Sequence, residues 1–149
     1  MKKILFEIKY FPNNTSQSDI QLRIFNIEEI LYIDSYYFMD QEDISMDVLN
    51  CLKSVLFKWY KGIQQAKINS KPIYLIIDFS DQYFGGFCFK LHKDEEVSLS
   101  YGIIRDSYDL NMESVIDDLR GHEFIKLYEY ETTLPDLLFT IEENITNLR

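Results

Sequence analysis

Cysteine and histidine are both scarce in this chain, with two of each among 149 residues. Cys51 and Cys88 lack the paired spacing of a zinc or redox motif, so both are expected as reduced, buried thiols. His92 and His122 stand at no helical or strand spacing that would align them with a further ligand. Each is expected at the surface rather than as a general base or metal ligand. Long apolar runs are missing as well, and nothing approaches the roughly 18 uninterrupted residues of a membrane span. Met1-Lys2-Lys3 followed by Ile4-Leu5-Phe6 imitates a secretory leader, yet Glu7 and Lys9 interrupt it, so the segment reads as the first strand of a cytoplasmic protein. No glycine-rich loop follows a strand to cradle phosphate, and neither Ser80 nor Ser107 lies in a Gly-x-Ser-x-Gly setting. There is no internal repeat, low-complexity tract or interdomain linker.

Basic residues are what the second half lacks. Residues 1–72 hold nine acids and nine bases, whereas residues 73–149 hold 16 acids against six bases, so the whole net charge of -10 comes from the second half. Such a surface disfavours nucleic acid, whose binding relies on Lys and Arg displacing counterions, and it favours a basic partner. Aromatics, by contrast, are plentiful at 15%, with 11 Tyr, 11 Phe and one Trp. Tyrosines beyond what a core can use are candidates for a recognition surface, because they bring large contact area with few rotatable bonds.

Lys2 to Phe11 alternates, with Ile4, Phe6, Ile8 and Tyr10 on one face, and predicts a strand buried on one side. Pro12 to Asp19 predicts a polar loop. Ile20 to Ile27 and Glu29 to Met39 predict two more strands of an antiparallel meander. Asp40-Gln41-Glu42-Asp43 suits the positive end of a helix that the spacing of Val48, Leu52, Val55, Trp59, Ile63 and Ala66 predicts over Ile44 to Ala66. Trp59 and Tyr60 lie in that apolar stripe and are expected in the core rather than in a ligand pocket.

The stretch Lys71 to Phe89 predicts a strand over Ile73–Ile77, a corner at Asp78–Tyr83 and a second strand. Phe84–Leu91 and Glu96–Ile104 predict a hairpin across His92-Lys93-Asp94-Glu95, with Gly85-Gly86 marking a bulge or a close backbone approach. In the second arm Val97, Leu99, Tyr101 and Ile103 alternate with Ser98, Ser100 and Gly102, an apolar face against a small polar one. Arg105 to Asn111 predicts a polar loop, Met112–Leu119 a short helix stopped by Gly121, and Phe124–Tyr130 a strand. Thr133-Leu134-Pro135 opens a terminal helix on Leu137, Leu138, Ile141, Ile145 and Leu148. The sum is an α+β chain forming a single domain over residues 1–149, an antiparallel-rich sheet covered by one long helix and a C-terminal helix.

Asp78 and Asp81, three apart across Ser80, could divide acid and base roles or hold a metal. With no His, Cys or further carboxylate nearby in sequence, the turn reading prevails: Asp78 and Ser80 satisfy turn amides while Asp81 faces solvent. Asp106, Asp109, Asn111 and Glu113 resemble a calcium loop only faintly, because Ser114 stands where glycine is required and Arg120 where the closing glutamate is required. Tyr36, Tyr37, Tyr83 and Tyr108 are expected at a surface.

The Asp78-Phe79-Ser80-Asp81-Gln82-Tyr83 run ending a strand, the Gly85-Gly86-Phe87 after it and the later Tyr101-Gly102 resemble small bacterial immunity proteins of polymorphic-toxin and contact-dependent inhibition systems. The resemblance covers roughly residues 45–105. It implies a non-catalytic protein, without cofactor or metal, that binds and blocks one cognate toxin domain, often a nuclease. An acidic, tyrosine-bearing surface suits a basic nuclease cleft. The residues expected to form it are Asp78, Asp81, Tyr83, Asp94, Glu95, Asp106, Tyr108 and Asp109. Two other readings remain: a small-molecule-binding regulatory domain using a pocket between sheet and long helix, and a carboxylate-dependent hydrolase.

Overall fold

The computed structural model describes residues 2–13, 18–27, 29–36, 47–80 and 82–148, with Tyr108 described by its backbone alone. The architecture is α+β, as the patterning predicts, with two helices and two antiparallel sheets among the described residues. Contacts group the chain into two compact units, Met1–Phe57 with Pro135–Arg149, and Lys58–Leu134.

The first unit holds the meander β1 (Phe6–Tyr10), β2 (Ile20–Ile24) and β3 (Ile30–Ile33), paired antiparallel in that order. Its strands are shorter than the apolar runs suggest. Ile27 does not extend β2, because Asn26 turns left-handed at φ 79 and the Ile27 amide folds back onto the Ile24 carbonyl at 3.2 Å. Asparagine tolerates that conformation better than other residues with a side chain. β3 ends at Ile33, where Asp34 caps the Tyr36 amide at 2.8 Å and Ser35 bonds to the buried Asp19. The expected extension over 37–39 and the acids of 40–43 lie outside the described residues.

The long helix, α1, spans Val48–Gln65 and so begins later than Ile44. Asp47 sets the start: its carboxylate accepts the Asn50 amide at 2.8 Å and its carbonyl the Cys51 amide at 3.0 Å. An aspartate in this position satisfies amides that the first turn leaves open. The centre of the predicted stripe is buried, with Leu52, Val55, Trp59 and Ile63 at 1% exposure or less and Leu56 beside them, whereas Val48, Ala66 and Tyr60, the last expected in the core, are only half-buried and Lys58 and Lys61 face solvent. The terminal helix, α2, spans Leu134–Asn147 with Pro135 in its first turn. It lays Thr140 and Asn144 against β1. Thr140 Oγ1 accepts the Leu5 amide, Asn144 Oδ1 accepts the Ile8 amide, and Asn144 Nδ2 donates to the Phe6 carbonyl, at 3.0, 2.8 and 3.0 Å. The outer edge of β1 is thereby closed by side chains rather than by another strand.

The second unit is built on a five-stranded antiparallel sheet in the order β7-β4-β5-β6-β8, from β4 (Ile73–Phe79), β5 (Tyr83–Leu91), β6 (Glu96–Arg105), β7 (Val115–Ile116) and β8 (Phe124–Thr133). β7 replaces the helix expected over Met112–Leu119. Val115 and Ile116 pair with Leu75 and Tyr74, and the Ile76 amide reaches the Ser114 carbonyl at 2.8 Å. Pairing of two β-branched residues to a waiting strand edge outweighs the weak helix preference of the segment. β8 is the strand expected over Phe124–Tyr130, three residues longer.

A bulge in β4 orders the centre of this unit. Ile76 pairs with Gly86 but Asp78 pairs with Gly85, so Ile77 is the extra residue. A Cβ at Gly86 would lie 2.1 Å from the Leu75 carbonyl oxygen, a separation that only glycine escapes. Both expectations for the glycine pair, a bulge and a close backbone approach, are met. The Ile76 carbonyl beside the bulge accepts the Trp59 indole N–H at 3.2 Å, and the Trp59 ring meets Phe87 edge to face. Trp59, fully buried, is core, as its place in the stripe predicts.

Candidate functional site

The residues expected to form a binding surface do not form one patch. β5 and β6 pair along their whole length, from Tyr83 opposite Arg105 to Leu91 opposite Val97. Asp94 and Glu95 sit at the turn closing one end of this hairpin, whereas Tyr83, Asp106 and Asp109 gather at the other. At about 3.3 Å per residue, eight residue steps separate the ends by roughly 26 Å. One compact partner feature meets one end or the other.

Asp78 belongs to neither end. The bulge carries it onto the side of the sheet that Phe87 and Tyr101 share, and it is 9% exposed. A Cβ on Gly85 would lie 3.1 Å from Asp78 Cβ and 3.0 Å from Tyr101 Oη, which brings the carboxylate and the phenol to one buried spot. Burial first, and then the Asp78 charge, hold the Tyr101 hydroxyl well above its ordinary pKa. Asp78 is therefore an interior group rather than part of the expected contact surface. Ser80 does satisfy the turn, accepting the Gln82 and Tyr83 amides at 3.3 and 2.9 Å and donating to the Tyr83 carbonyl at 2.8 Å. Asp81 lies outside the described residues.

At the Tyr83 end the chain forms an acidic shelf. Asp106, Asp109, Glu113, Asp117, Asp118 and Glu123 are all exposed, and Arg120 is the only Lys or Arg within 106–123. Cross-links shape this connection: the Asp106 amide bonds to the Gln82 carbonyl at 3.0 Å, Arg120 donates to the Asp109 carbonyl at 3.1 Å, and His122 Nε2 meets the Asp109 carboxylate. His122 thus has a structural role that sequence spacing did not disclose, since its partner is 13 residues away. Tyr83, 36% exposed, flanks the shelf.

Two further features lie in the same unit. His92 Nε2 stands 2.7 Å from Ser98 Oγ, and Ser98 Oγ stands 3.1 and 3.2 Å from the two carboxylate oxygens of Glu131. The residue types are those of a hydrolytic triad, but the order is wrong, because the acid holds the serine rather than orienting the imidazole. The hydroxyl proton is directed to Glu131, which suits fixing that carboxylate in place. Across the second face of the sheet, Cys88 is hydrogen-bonded to Tyr74 and Ser100. Burial raises its thiol and pushes the Tyr74 phenol up to about 12, so neither is poised as a nucleophile near neutral pH. Both cysteines are free thiols, Cys51 fully buried and Cys88 partly so.

A cleft of about 870 Å³ opens beside the end of α1. It is lined by the apolar or small Gly62, Ala66, Ile73 and Val115, by Lys67 and Lys71, and by Glu113, Asp117 and Asp118. Among the described residues, no group of three or more His, Cys, Asp or Glu side chains stands close enough to hold a metal ion. No described helix is long and apolar enough to cross a membrane. No family model matches the chain, and no curated protein or solved structure matches it.

Proposed function

We propose that this chain is a cytoplasmic, non-catalytic immunity protein that binds a basic toxin domain, of nuclease type, through the acidic shelf of residues 106–123. The observation that carries the reading is the concentration there of six exposed carboxylates against one arginine, on a connection tied down at Asp106 and Asp109. A basic cleft built for phosphate is complementary to such a surface, and anchoring by hydrogen bonds reduces the ordering cost of binding. Asp106, Asp109 and Tyr83 remain the contact residues of this reading, with Tyr108 between them in sequence. Asp94 and Glu95 form a separate, weaker acidic point.

The test begins with the reading frames that neighbour the gene: any encoded protein that ends in a basic domain is co-expressed, as that domain, with this chain. Rescue of growth and a stable complex whose association slows as salt rises are expected. Unrelieved toxicity, or a complex indifferent to salt, overturns the reading. A second reading is favoured by one feature, the cleft lined by lysines as well as carboxylates, which suits a small dipolar molecule. Thermal stabilisation by a zwitterionic metabolite, lost in Lys67→Glu, with no protein captured, would favour it instead.

A further inference from the structure

We infer that the cleft at the end of α1 is a contact between two copies of this chain, in which Ile68 of each copy enters the cleft of the other about a two-fold axis. Ile68 is 53% exposed, in a turn between Lys67 and Ser70, and both of these line the cleft while Ile68 does not. The turn is tied down. The Asn69 amide bonds to the Leu91 carbonyl at 3.0 Å, and the Ser70 hydroxyl donates to the Lys67 carbonyl at 2.8 Å. An apolar side chain presented on such a turn loses little freedom on docking. The cleft, about 870 Å³, has room for it and offers Ala66, Ile73 and Val115 as apolar contacts. All of these groups belong to the second unit.

Charge selects the occupant. Lys67 and Lys71 come from the segment after α1, and Glu113, Asp117 and Asp118 from the segments flanking β7. All five are exposed, and among the described residues none of them forms a salt bridge. A partner feature of one sign entering the cleft meets like charge. A second copy, turned by the two-fold, sets its carboxylates against the lysines and its lysines against the carboxylates, so that one patch serves both sides. A small dipolar molecule would satisfy the charges yet leave Ile68 in water, whereas a second copy covers it. The net charge of -10 opposes self-association, but at 0.1 M salt the Debye length of about 10 Å confines that repulsion to near neighbours, and the groups around the cleft weigh most. The inference goes beyond the proposed function, with which it shares Glu113, Asp117 and Asp118. It is measured on the protein alone, so its failure leaves that function standing.

Sedimentation equilibrium of the full chain at that salt is expected to show a reversible monomer–dimer equilibrium up to about 1 mM, where even a weak contact populates the dimer. Ile68→Asp should weaken the dimer by about tenfold or more, since it puts a charge into the apolar part of the cleft. Lys67→Glu with Lys71→Glu should weaken it as strongly, and so should Asp117→Lys with Asp118→Lys in a second protein, because each leaves like charges facing across the axis. Mixed in equal amounts, the two reversed proteins should form a one-to-one complex near wild-type affinity, since both sets of opposite charges are then restored. That recovery also shows both proteins to be folded. A chain monomeric throughout, a dimer unchanged by Ile68→Asp, folded reversed proteins that stay apart when mixed, or oligomers that grow beyond the dimer overturn the inference. Ile68→Asp lies on an exposed turn and decides the matter by itself if either reversed protein fails to fold.

Discussion

Asn144 is a polar residue placed on the apolar stripe of α2, 5% exposed, and it has two jobs. It accepts the Ile8 amide and donates to the Phe6 carbonyl, so both outward groups of this stretch of β1 are satisfied in the interior. Replacing it with leucine keeps the volume and orphans both, at about 1–3 kcal/mol per buried group. Asn144→Leu should therefore lower the unfolding free energy by about 2–6 kcal/mol in urea titrations; an unchanged midpoint would mean that β1 is held otherwise. Tyrosines give a second expectation at this scale. Tyr74, Tyr101 and Tyr130 all have raised phenol pKa values, chiefly through burial, with Tyr74 near 12. A phenol whose folded pKa exceeds its unfolded value of about 10 contributes its full stabilisation below pH 10, and loses it as pH rises through the folded value. Denaturant midpoints should be flat on this account below pH 10 and fall between pH 10 and 12. Tyr101→Phe should make that fall shallower.

Elements were legible where a period repeated and obscure where a single contact decided. The α1 stripe and the alternation of Val97, Leu99 and Tyr101 identify buried faces directly, because one side of each element meets the core. β7 was not legible, since two residues carry no period and only the edge of β4 makes them a strand. The same holds for Asp78. Alternation alone places it with Ile76, and one inserted residue, Ile77, turns it inward. The glycines beside that bulge signal it, but not which neighbour it reorients. Gly102, opposite Gly86, tests how closely the strands approach: a Cβ there would fall 2.2 Å from the Ile125 carbonyl oxygen and 2.8 Å from the Phe124 ring. Gly102→Ala should cost about 3 kcal/mol or prevent folding, as overpacking against backbone does. Gly121→Ala, left-handed at φ 88 with nothing within 4 Å, should cost only about 1–2 kcal/mol.

For the whole molecule, the division of charge between the two hairpin ends becomes a kinetic question. Both ends carry exposed acids, but the Asp94–Glu95 turn holds them in left-handed backbone, at φ 58 and 61, where Asn-Gly is the favoured pair. Asp94→Asn with Glu95→Gly removes that charge while relieving strain, so it should raise stability by about 1 kcal/mol. If the shelf at 106–123 meets the partner, this variant should change association little, because the ends stand some two to three Debye lengths apart at 0.1 M salt, about 10 Å each. Neutralising Asp106, Asp109, Asp117 and Asp118 should instead slow association severalfold and flatten its dependence on salt, while dissociation changes less. Tyr83→Ala should act the other way, speeding dissociation, as loss of a docked anchor does. Stopped-flow mixing from 0.05 to 0.5 M salt separates these outcomes. A turn variant that slows association as much as the shelf variant would show the partner reading the net charge of the protein rather than one end of the hairpin.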